Sequence, residues 1–413
     1  MFSALKFIAA AAIVALFGGF LLAGVLTTPQ GDEMVPAAVT ESPEPEAEQT
    51  TPPPAPMTTD ELLALAVTEE VEPGVLRVVD DGLGPLDYPV DWEYPYDIVA
   101  GHDGGIYVFE PGHYTRLGSG PYRGTHKGFD WDLEDAFPSD AGVAPDGTVW
   151  AVFGGRLYST LWGSGHETQH LPTMVGPEPI EVTSDGTVWA VWRDDSGTVF
   201  GYLGADGWTM VGEWHFNSGL HVSDRGEVWA VDPVGWGFFG VHRFVDGAWR
   251  EEEGSPNGAF DRADADVGVD GTFWGIRDGH YGDPSGDDRL VRFDGTEWTT
   301  FQPPDWSRPD DRSRWGEPHV APDGALWVPP QHGVVERDDD LGGGRRNVCG
   351  YDINGVARFD GETWSRFLQG HCIEAMDIAA DGSVWMLASQ SGARFPLVAH
   401  LYVITPEAVA ASE

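Results

Sequence analysis

Two kinds of hydrophobic pattern divide the chain. The first is one uninterrupted run of twenty apolar or small residues, Phe7 to Leu26. The second begins near residue 97, where apolar residues come in short stretches rich in Val, Trp and Phe, separated by Asp-Gly pairs. A continuous run of about 20 apolar residues is long enough for a helix to cross a bilayer. Short apolar stretches bounded by turn residues predict β-strands.

The apolar run predicts a membrane signal. Lys6 and the α-amine are the only charges before it, whereas Asp32 and Glu33 follow it. The positive-inside bias therefore places the N-terminus in the cytoplasm and the rest of the chain outside. We predict a signal-anchor or transmembrane helix over residues 1–26, with a cleaved signal peptide as the alternative. The expected location is the cell membrane, single-pass with the bulk of the chain extracytoplasmic, or secreted if the signal is cleaved.

The next segment, residues 27–73, has a composition typical of a disordered linker. It contains TESPEPEAEQTTPPPAP, is rich in Pro and Glu and has no aromatic residue, so it lacks the apolar surface that folding requires. Within it, Thr58 to Glu70 is compatible with one short capped helix. Residues 74–413 form the remaining predicted domain.

This domain is built from a repeated unit of the form apolar-x-x-Asp-Gly-x-apolar-aromatic, as in VAPDGTVWAV at Val143 to Val152. The steps between successive turn glycines are 43, 39, 40, 45, 53 and 58 residues. A second unit follows the first in several repeats, as in GVARFDGETW at Gly355 to Trp364. The turn glycines of the first unit are Gly104, Gly147, Gly186, Gly226, Gly271, Gly324 and Gly382.

Each unit is typical of a β-hairpin, because Asp-Gly supplies the positive-φ residues that a two-residue turn requires. Two hairpins in about 40 residues have the period and strand content of a propeller blade. Seven turn glycines therefore predict an all-β, seven-bladed β-propeller whose Trp rings are buried between neighbouring blades. The spare strand Gly74 to Asp80 is expected to close the ring by pairing with His400 to Ile404.

The motifs DGTVWAV and GVARFDGETWSRF resemble the WD40-like propeller repeats of the two-component-regulator type. The resemblance covers roughly residues 97–405. It implies an extracytoplasmic sensor portion of a membrane-spanning receptor, and therefore ligand or protein binding. Virginiamycin-lyase-like and lactonase propellers have similar hairpins. An extracytoplasmic lyase or hydrolase with a metal in the central channel is therefore the alternative function.

The charge balance excludes one class of partner. The chain has 23 Lys and Arg against 67 Asp and Glu, for a net charge of −44. Such an acidic surface repels the phosphate backbone of nucleic acids. Adaptation to high salt is the alternative explanation for this acidity. The expected partner is a protein, small molecule or glycan at the cell envelope.

The predicted strand directions place all Asp-Gly turns on one face of the ring. The long insertions, residues 277–289, 302–318 and 329–354, then lie on the opposite face, where loops on a rigid scaffold commonly bind ligands. The alternative is that these loops only shield the blade edges. The sequence suggests no catalytic residue. The predicted ligand-binding residues are Trp236, Phe238, Phe239, His280, Tyr281, Trp306, Trp315, His332, Arg345 and Arg346.

Three further motifs bear on disulfide and metal chemistry. Cys349 and Cys372 fall on the same predicted face, and an oxidising compartment favours a disulfide between them. His166 to His170 reads HETQH, but flanking Gly and Pro predict a strand rather than the helix of a zinc peptidase. Asp261 to Gly271 loosely resembles a calcium loop without its glycine and terminal Glu. No cofactor is therefore expected, with calcium as the alternative at that segment.

Overall fold

In the computed structural model, residue 58 is the first residue described. The predicted membrane helix at 1–26 and linker residues 27–57 lie outside the described residues. Among the residues described, no helix is both long and apolar enough to span a membrane. The described ranges are 58–80, 88–90, 97–110, 113–117, 138–161, 167–171, 173–175, 180–194, 197–204, 207–216, 219–223, 225–232, 240–254, 259–278, 289–302, 304, 314–331, 334–337, 345–348, 355–390 and 397–412.

Seven antiparallel sheets form the seven predicted blades. The described part of the chain starts with α1 (Thr59–Leu65), β1 (Val67–Glu72), β2 (Val75–Asp80) and β3 (Tyr88–Val90). Blade one is β4 (Asp97–Ala100), β5 (Ile106–Glu110) and β6 (His113–Arg116); blade two is β7 (Asp140–Val143), β8 (Thr148–Phe153), β9 (Arg156–Leu161) and β10 (Glu167–Leu171). Blade three is β11 (Ile180–Val182), β12 (Val188–Asp194), β13 (Gly197–Gly204) and β14 (Gly207–Glu213).

The remaining blades follow in chain order. Blade four is β15 (Leu220–Val222), β16 (Val228–Asp232), β17 (Gly240–Val245) and β18 (Ala248–Glu251); blade five is β19 (Ala259–Val267), β20 (Phe273–Asp278), β21 (Arg289–Phe293) and β22 (Trp298–Phe301). Before blade six comes β23 (Arg314–Trp315). Blade six is β24 (His319–Val320), β25 (Leu326–Val328), β29 (Val356–Phe359) and β30 (Trp364–Phe367), interrupted by β26 (Pro330–Gln331), β27 (Val334–Arg337) and β28 (Arg345–Val348). Blade seven contains β31 (His371–Ile378), β32 (Val384–Gln390) and β33 (Leu397–Ile404), and α2 (Pro406–Ser412) follows.

The inner strands of the blades form a closed cycle. Each inner strand contacts the inner strand of the next blade, and β31 of blade seven contacts β4 of blade one. This cycle confirms the predicted ring of seven blades. The inner strands are β4, β7, β11, β15, β19, β24 and β31.

The recurring Asp-Gly pair lies in the turn that follows each inner strand, and the geometry of this turn requires it. All seven turn glycines have φ between +74° and +85°, a region that side chains with a Cβ disfavour. In six blades the preceding Asp accepts the N–H group two residues further along at 2.9 Å. Blade four has Arg225 there, and the Ser223 hydroxyl accepts the Glu227 N–H at 3.2 Å instead. Both residues of the motif therefore stabilise the hairpin.

Aromatic rings fill the space between blades, as predicted. In each blade, the residue five positions before the turn glycine pairs across the hairpin with a Trp or Tyr of the second strand. Trp229, Trp274, Trp327 and Trp385 are almost completely buried. In three blades an Arg of the third strand lies over this aromatic ring at 5.2–5.7 Å from its centroid, a cation–π contact.

Blade seven contains strands from both ends of the described chain. β2 pairs with β33 over Val75↔Ile404 to Val78↔Leu401, which confirms the predicted closing strand. The order β31-β32-β33-β2 completes a four-stranded blade, and β1 pairs with the outer edge of β2. Val75 and Val78 are buried in two different core clusters, one on each side of the blade. The N-terminal strand therefore contributes to the packing of blade seven on both of its faces.

The structure corrects the linker boundary at residue 73. Residues 58–72 contain α1, which has a capping box between Thr58 and Glu61, followed by β1. Leu62 of α1 is buried, and the Glu72 carboxylate accepts the N–H groups of Leu368 and Gln369 at 2.8 and 2.7 Å. These contacts attach the segment to blades six and seven.

Candidate functional site

The seven inner strands line an axial channel with a cavity volume of about 740 Å³. Its wall includes residues from both ends of the inner strands, from Glu374 and Glu317 at one end to Val269 and Ser184 beside the turns at the other. This volume lies within the range of roughly 300–1,000 Å³ found for small-molecule sites.

Titratable side chains recur on the inner strands that line this channel. We call the residue five positions before the turn glycine the ring position. Blades one and two have Val99 and Gly142 there, with Asp97 and Asp140 two residues earlier on the same strands. In blades three to seven the ring position alternates between acid and histidine and is occupied by Glu181, His221, Asp266, His319 and Asp377.

Two of the ring carboxylates also connect neighbouring blades. Asp266 accepts the N–H of Val320 in blade six at 2.6 Å, and Asp377 accepts the N–H of Ala100 in blade one at 2.7 Å. Each also accepts the N–H of the residue that follows it. An inner strand has one edge without a strand partner, and its N–H groups need acceptors. The carboxylates supply these acceptors and are held in a defined orientation beside the channel.

Burial raises the pKa values of three channel carboxyl groups. It raises the pKa of Asp97 and of Asp266 to about 6, although backbone N–H groups favour the ionised forms. Burial raises the pKa of Asp377 to about 7, against its two N–H bonds, and the charges of Asp97 and Asp266 add to the rise. Asp377 lines the channel and keeps 29% of its side-chain surface accessible.

The two ring histidines stay neutral for the same reason. Burial lowers the pKa values of His221 and His319 to about 4. His319 Nδ1 lies 3.8 Å from Asp377 Oδ1, too far for a hydrogen bond. His221 lines the channel with 6% of its surface exposed, and its buried Nε2 atom has no hydrogen-bond partner among the described residues. An unpaired ring nitrogen in a buried position costs free energy.

The raised pKa of Asp377 predicts a pH-dependent effect of Asp377→Asn. The folded state holds the Asp377 proton more tightly than the unfolded state. The stability that this gives is complete below about pH 4 and is lost as the pH rises through about 7. Asn does not titrate. The free energy of unfolding of the variant, relative to that of wild type, should therefore rise by roughly 3 kcal/mol from pH 4.5 to pH 8. Urea unfolding of both proteins at the two pH values measures this gain.

The matched control is Asp360→Asn, at an exposed turn of blade six. Hydrogen bonds from the Thr363 hydroxyl and N–H lower the pKa of Asp360, so this variant should show no gain over the same pH range. A constant stability difference between Asp377→Asn and wild type from pH 4.5 to 8 would show that Asp377 titrates normally.

The two segments that the sequence raised as candidate metal sites contribute to β-strands. Among the described residues, no group of three or more His, Cys, Asp or Glu side chains is placed to hold a metal ion. The segment Asp261 to Gly271 is inner strand β19 and its turn rather than a loop. The HETQH motif contributes to β10, where the His170 ring packs against Trp150 with a centroid distance of 4.7 Å and a tilt of 39°. Its Nε2 atom lies 2.7 Å from Ser159 Oγ. Its side chain therefore has a structural role in blade two.

The predicted ligand-binding residues lie mostly outside the described part of the chain. Trp315 is buried between blades five and six, where its ring stacks on Trp364 at 5.6 Å, so it belongs to the core rather than an open surface. The backbones of Arg345 and Arg346 lie on β28, which pairs with β27. Outside the described residues are Trp236, Phe238, Phe239, His280, Tyr281, Trp306 and His332.

One of the two cysteines of the predicted disulfide lies in the described residues. Cys372 is buried in β31 and is disulfide-bonded. Cys349 lies outside the described residues. The Cys349–Cys372 pairing therefore stays a prediction, supported by the presence of only two cysteines in the chain.

The insertions of blade six reach the channel. β23, from the connection between blades five and six, pairs with β26, which lies in the insertion between the second and third strands. This pairing places the two insertions on one face, as the predicted strand directions indicated. Gly316, Glu317, Pro318 and Pro329 from these segments line the channel. The insertion-bearing face therefore forms one mouth of the axial channel.

The ring of acids and histidines was missed by the sequence analysis. The signal was present, because aligning the seven repeats on their turn glycines places Glu, His, Asp, His and Asp at one position in consecutive repeats. The repeated unit defined in the sequence begins one residue after this position, so the motif did not include it.

The comparisons with known proteins concern the fold. No protein-family model and no curated protein matches the sequence. A chain of the mitotic checkpoint complex is 9% identical with a TM-score of 0.50, covering 90% of this chain and 98% of that one. YCF48 bound to a D1 peptide is 14% identical with a TM-score of 0.48, over 78% and 94% of the two chains.

A third similar structure is the extracellular domain of BT4673, a protein assigned to the one component systems of B. thetaiotaomicron. It is 9% identical with a TM-score of 0.47, covering 76% of this chain and 39% of that one. The chain thus spans about two fifths of the BT4673 chain. At such identities a likeness concerns architecture alone, and by architecture this chain is a seven-bladed β-propeller of the WD40-like kind.

Proposed function

We propose that this chain is a membrane-tethered, extracytoplasmic propeller that binds a ligand or protein partner at the insertion-bearing mouth of its axial channel, in sensing or envelope recognition. One observation carries the proposal: two insertions from different loops are joined by the β23–β26 pairing and line the channel. Loops held in this way on a rigid ring present a defined surface beside a cavity, which is the usual arrangement of a binding site.

The roles of the channel carboxylates favour binding over catalysis. Asp266 and Asp377 each accept two backbone N–H groups and thereby hold blades together. A carboxylate anchored in this way is a fixed acceptor, which suits recognition of a ligand. The membrane tether rests on the apolar run at Phe7 to Leu26.

A photo-crosslinker placed at either mouth tests the proposal. Benzoylphenylalanine at Glu317 lies on the insertion-bearing side, and the matched control at Val269 lies beside a turn at the other end. Both positions are exposed. After irradiation in cell-envelope extract, we expect adducts at Glu317 at least fivefold more abundant than at Val269, quantified by mass spectrometry. Adducts of equal abundance at both positions, or adducts at Val269 alone, would contradict the proposed face.

A further inference from the structure

The outermost strand of blade seven presents an open edge. β1 pairs with β2 along one side, and no strand of the described chain lies along its other side. In an antiparallel pair, alternate residues of an edge strand direct their N–H and C=O groups away from the partner strand. These outward backbone groups of β1 are therefore available to pair with a further strand.

β1 is exposed on both of its faces. Its first five residues, Val67 to Val71, are exposed, and only Glu72 is partly buried. Val67 and Val71 keep 58% and 38% of their surface accessible, and Leu65, just before the strand, keeps 55%. Six large hydrophobic residues of the described chain are exposed, and three of them lie within positions 65–71. Exposed apolar side chains beside an open strand edge indicate an interaction surface.

The charged side chains of β1 are all negative. The strand reads VTEEVE, and the neighbouring β2 supplies one cation, Arg77, which pairs with Glu69 across the two strands. The Arg77 guanidinium lies 2.9 Å from Nδ1 of His400 on the next strand of the blade. Glu69 and Glu70 are successive residues, so their side chains point to opposite faces of the blade. Both faces of the open edge are therefore acidic.

Charge decides which strand suits this edge. A second copy paired in register would place Glu beside Glu, and like charges directly opposite each other destabilise a sheet. Residues 27–57 of this chain are acidic and contain TTPPPAP, whose prolines lack the N–H group that a strand ladder requires. A segment with Lys or Arg opposite Glu69 and Glu70 satisfies both the backbone edge and the charges.

We propose that the β1 edge of blade seven docks an extended, basic segment of a partner protein, which adds a strand to the blade. The regular β1–β2 register covers Thr68 to Glu70, between two irregularities, so the docking site is centred on Glu69 and Glu70. The lining of the axial channel contains no residue of β1, so this surface is separate from the proposed site at the channel mouth. Failure of either proposal leaves the other unaffected.

A fluorescent peptide tests the proposal on the purified full-length chain. The peptide Thr-Val-Lys-Arg-Val-Thr, capped at both ends, places its two cations opposite Glu69 and Glu70 in either strand direction. We expect saturable binding by fluorescence polarisation. Binding should weaken at least tenfold for Thr-Val-Glu-Glu-Val-Thr, and equally for the first peptide with all its backbone amides N-methylated. The methylated peptide keeps both charges but cannot donate to a strand edge. Full binding of the methylated peptide, or no binding of the first peptide, would overturn the proposal.

Charge reversal on β1 locates the site. Glu69→Lys combined with Glu70→Lys should weaken binding of the basic peptide at least tenfold. The matched control combines Glu251→Lys with Glu253→Lys, two exposed positions at and beside the outer strand β18 of blade four. It makes the same change in net charge and should stay within twofold of wild type. Equal weakening by the two variants would mean that the peptide responds to overall charge, and would overturn the docking site.

Hydrogen exchange of the wild-type chain gives a readout that needs no variant. The outward N–H groups of β1 are open to solvent, and pairing with the peptide should slow exchange at least tenfold in the proteolytic fragment that contains Val67 to Glu72. Exchange in β18 should not change. Binding of the peptide without protection of β1 would overturn the proposal. This measurement also decides the case in which the charge-reversed β1 variant fails to fold.

Discussion

A chain that starts at residue 81 is expected to lose its cooperative unfolding transition at 37 °C. The deletion removes β2, whose side chains Val75 and Val78 are buried on the two faces of blade seven. It leaves residues 401–404 of β33 without their β2 partner, whereas β3 still pairs with residues 397–399. Burial of each Val contributes roughly 1.5–3 kcal/mol, which together with the lost strand pairing is a large part of a stability of about 5–15 kcal/mol. Thermal unfolding followed by circular dichroism measures the effect.

A pair of point substitutions tests the role of β2 in ring closure without deleting any residue. Val78→Asp places a charge between β2 and the blade core and should lower the free energy of unfolding by about 3–5 kcal/mol. Val67→Asp makes the same change on β1, where the side chain is 58% exposed, and should stay within about 0.5 kcal/mol. If the deletion leaves the melting temperature unchanged, the N-terminal strand does not close the ring in solution.

Trp327→Ala is expected to lower the free energy of unfolding by about 3–5 kcal/mol. The Trp327 ring is 1% exposed and lies in the core cluster between blades six and seven, 5.2 Å from the ring of Phe367. Its removal leaves a cavity that neighbouring β-strands are too rigid to fill. Urea unfolding at pH 7 gives the magnitude.

The control for Trp327 occupies the same place in another blade. Trp189 of blade three also pairs with a ring-position residue, Glu181, but is only half-buried. Trp189→Ala should therefore cost less than half as much as Trp327→Ala. Equal losses at the two positions would mean that the indoles act through strand pairing rather than through inter-blade packing.

The architecture was predictable because it depends on local chemistry that repeats. Each turn glycine requires positive φ, each turn Asp accepts a nearby N–H, and each second strand has an aromatic at one position. These features depend on residues a few positions apart, so a single sequence reveals them. The linker boundary was wrong because contacts with residues almost three hundred positions away, such as that of Glu72 with Leu368, decide whether residues 58–72 fold.

The candidate site was predicted less well, because it arises only when the blades are assembled. Asp377 meets the N–H of Ala100 across the closing seam, and their separation along the chain hides this contact. The insertion-bearing face was identified from strand direction. However, the aromatic content of a loop does not distinguish a binding residue from a core residue, as the buried Trp315 shows.

The composition of blade seven also determines when the ring can be completed during biosynthesis. β2 emerges first, yet its partner β33 is made about three hundred residues later. Until then the nascent chain exposes a Val-rich strand edge, which is prone to aggregation and to pairing with other chains. Folding must therefore keep this early strand accessible to β33 until the last blade has been synthesised.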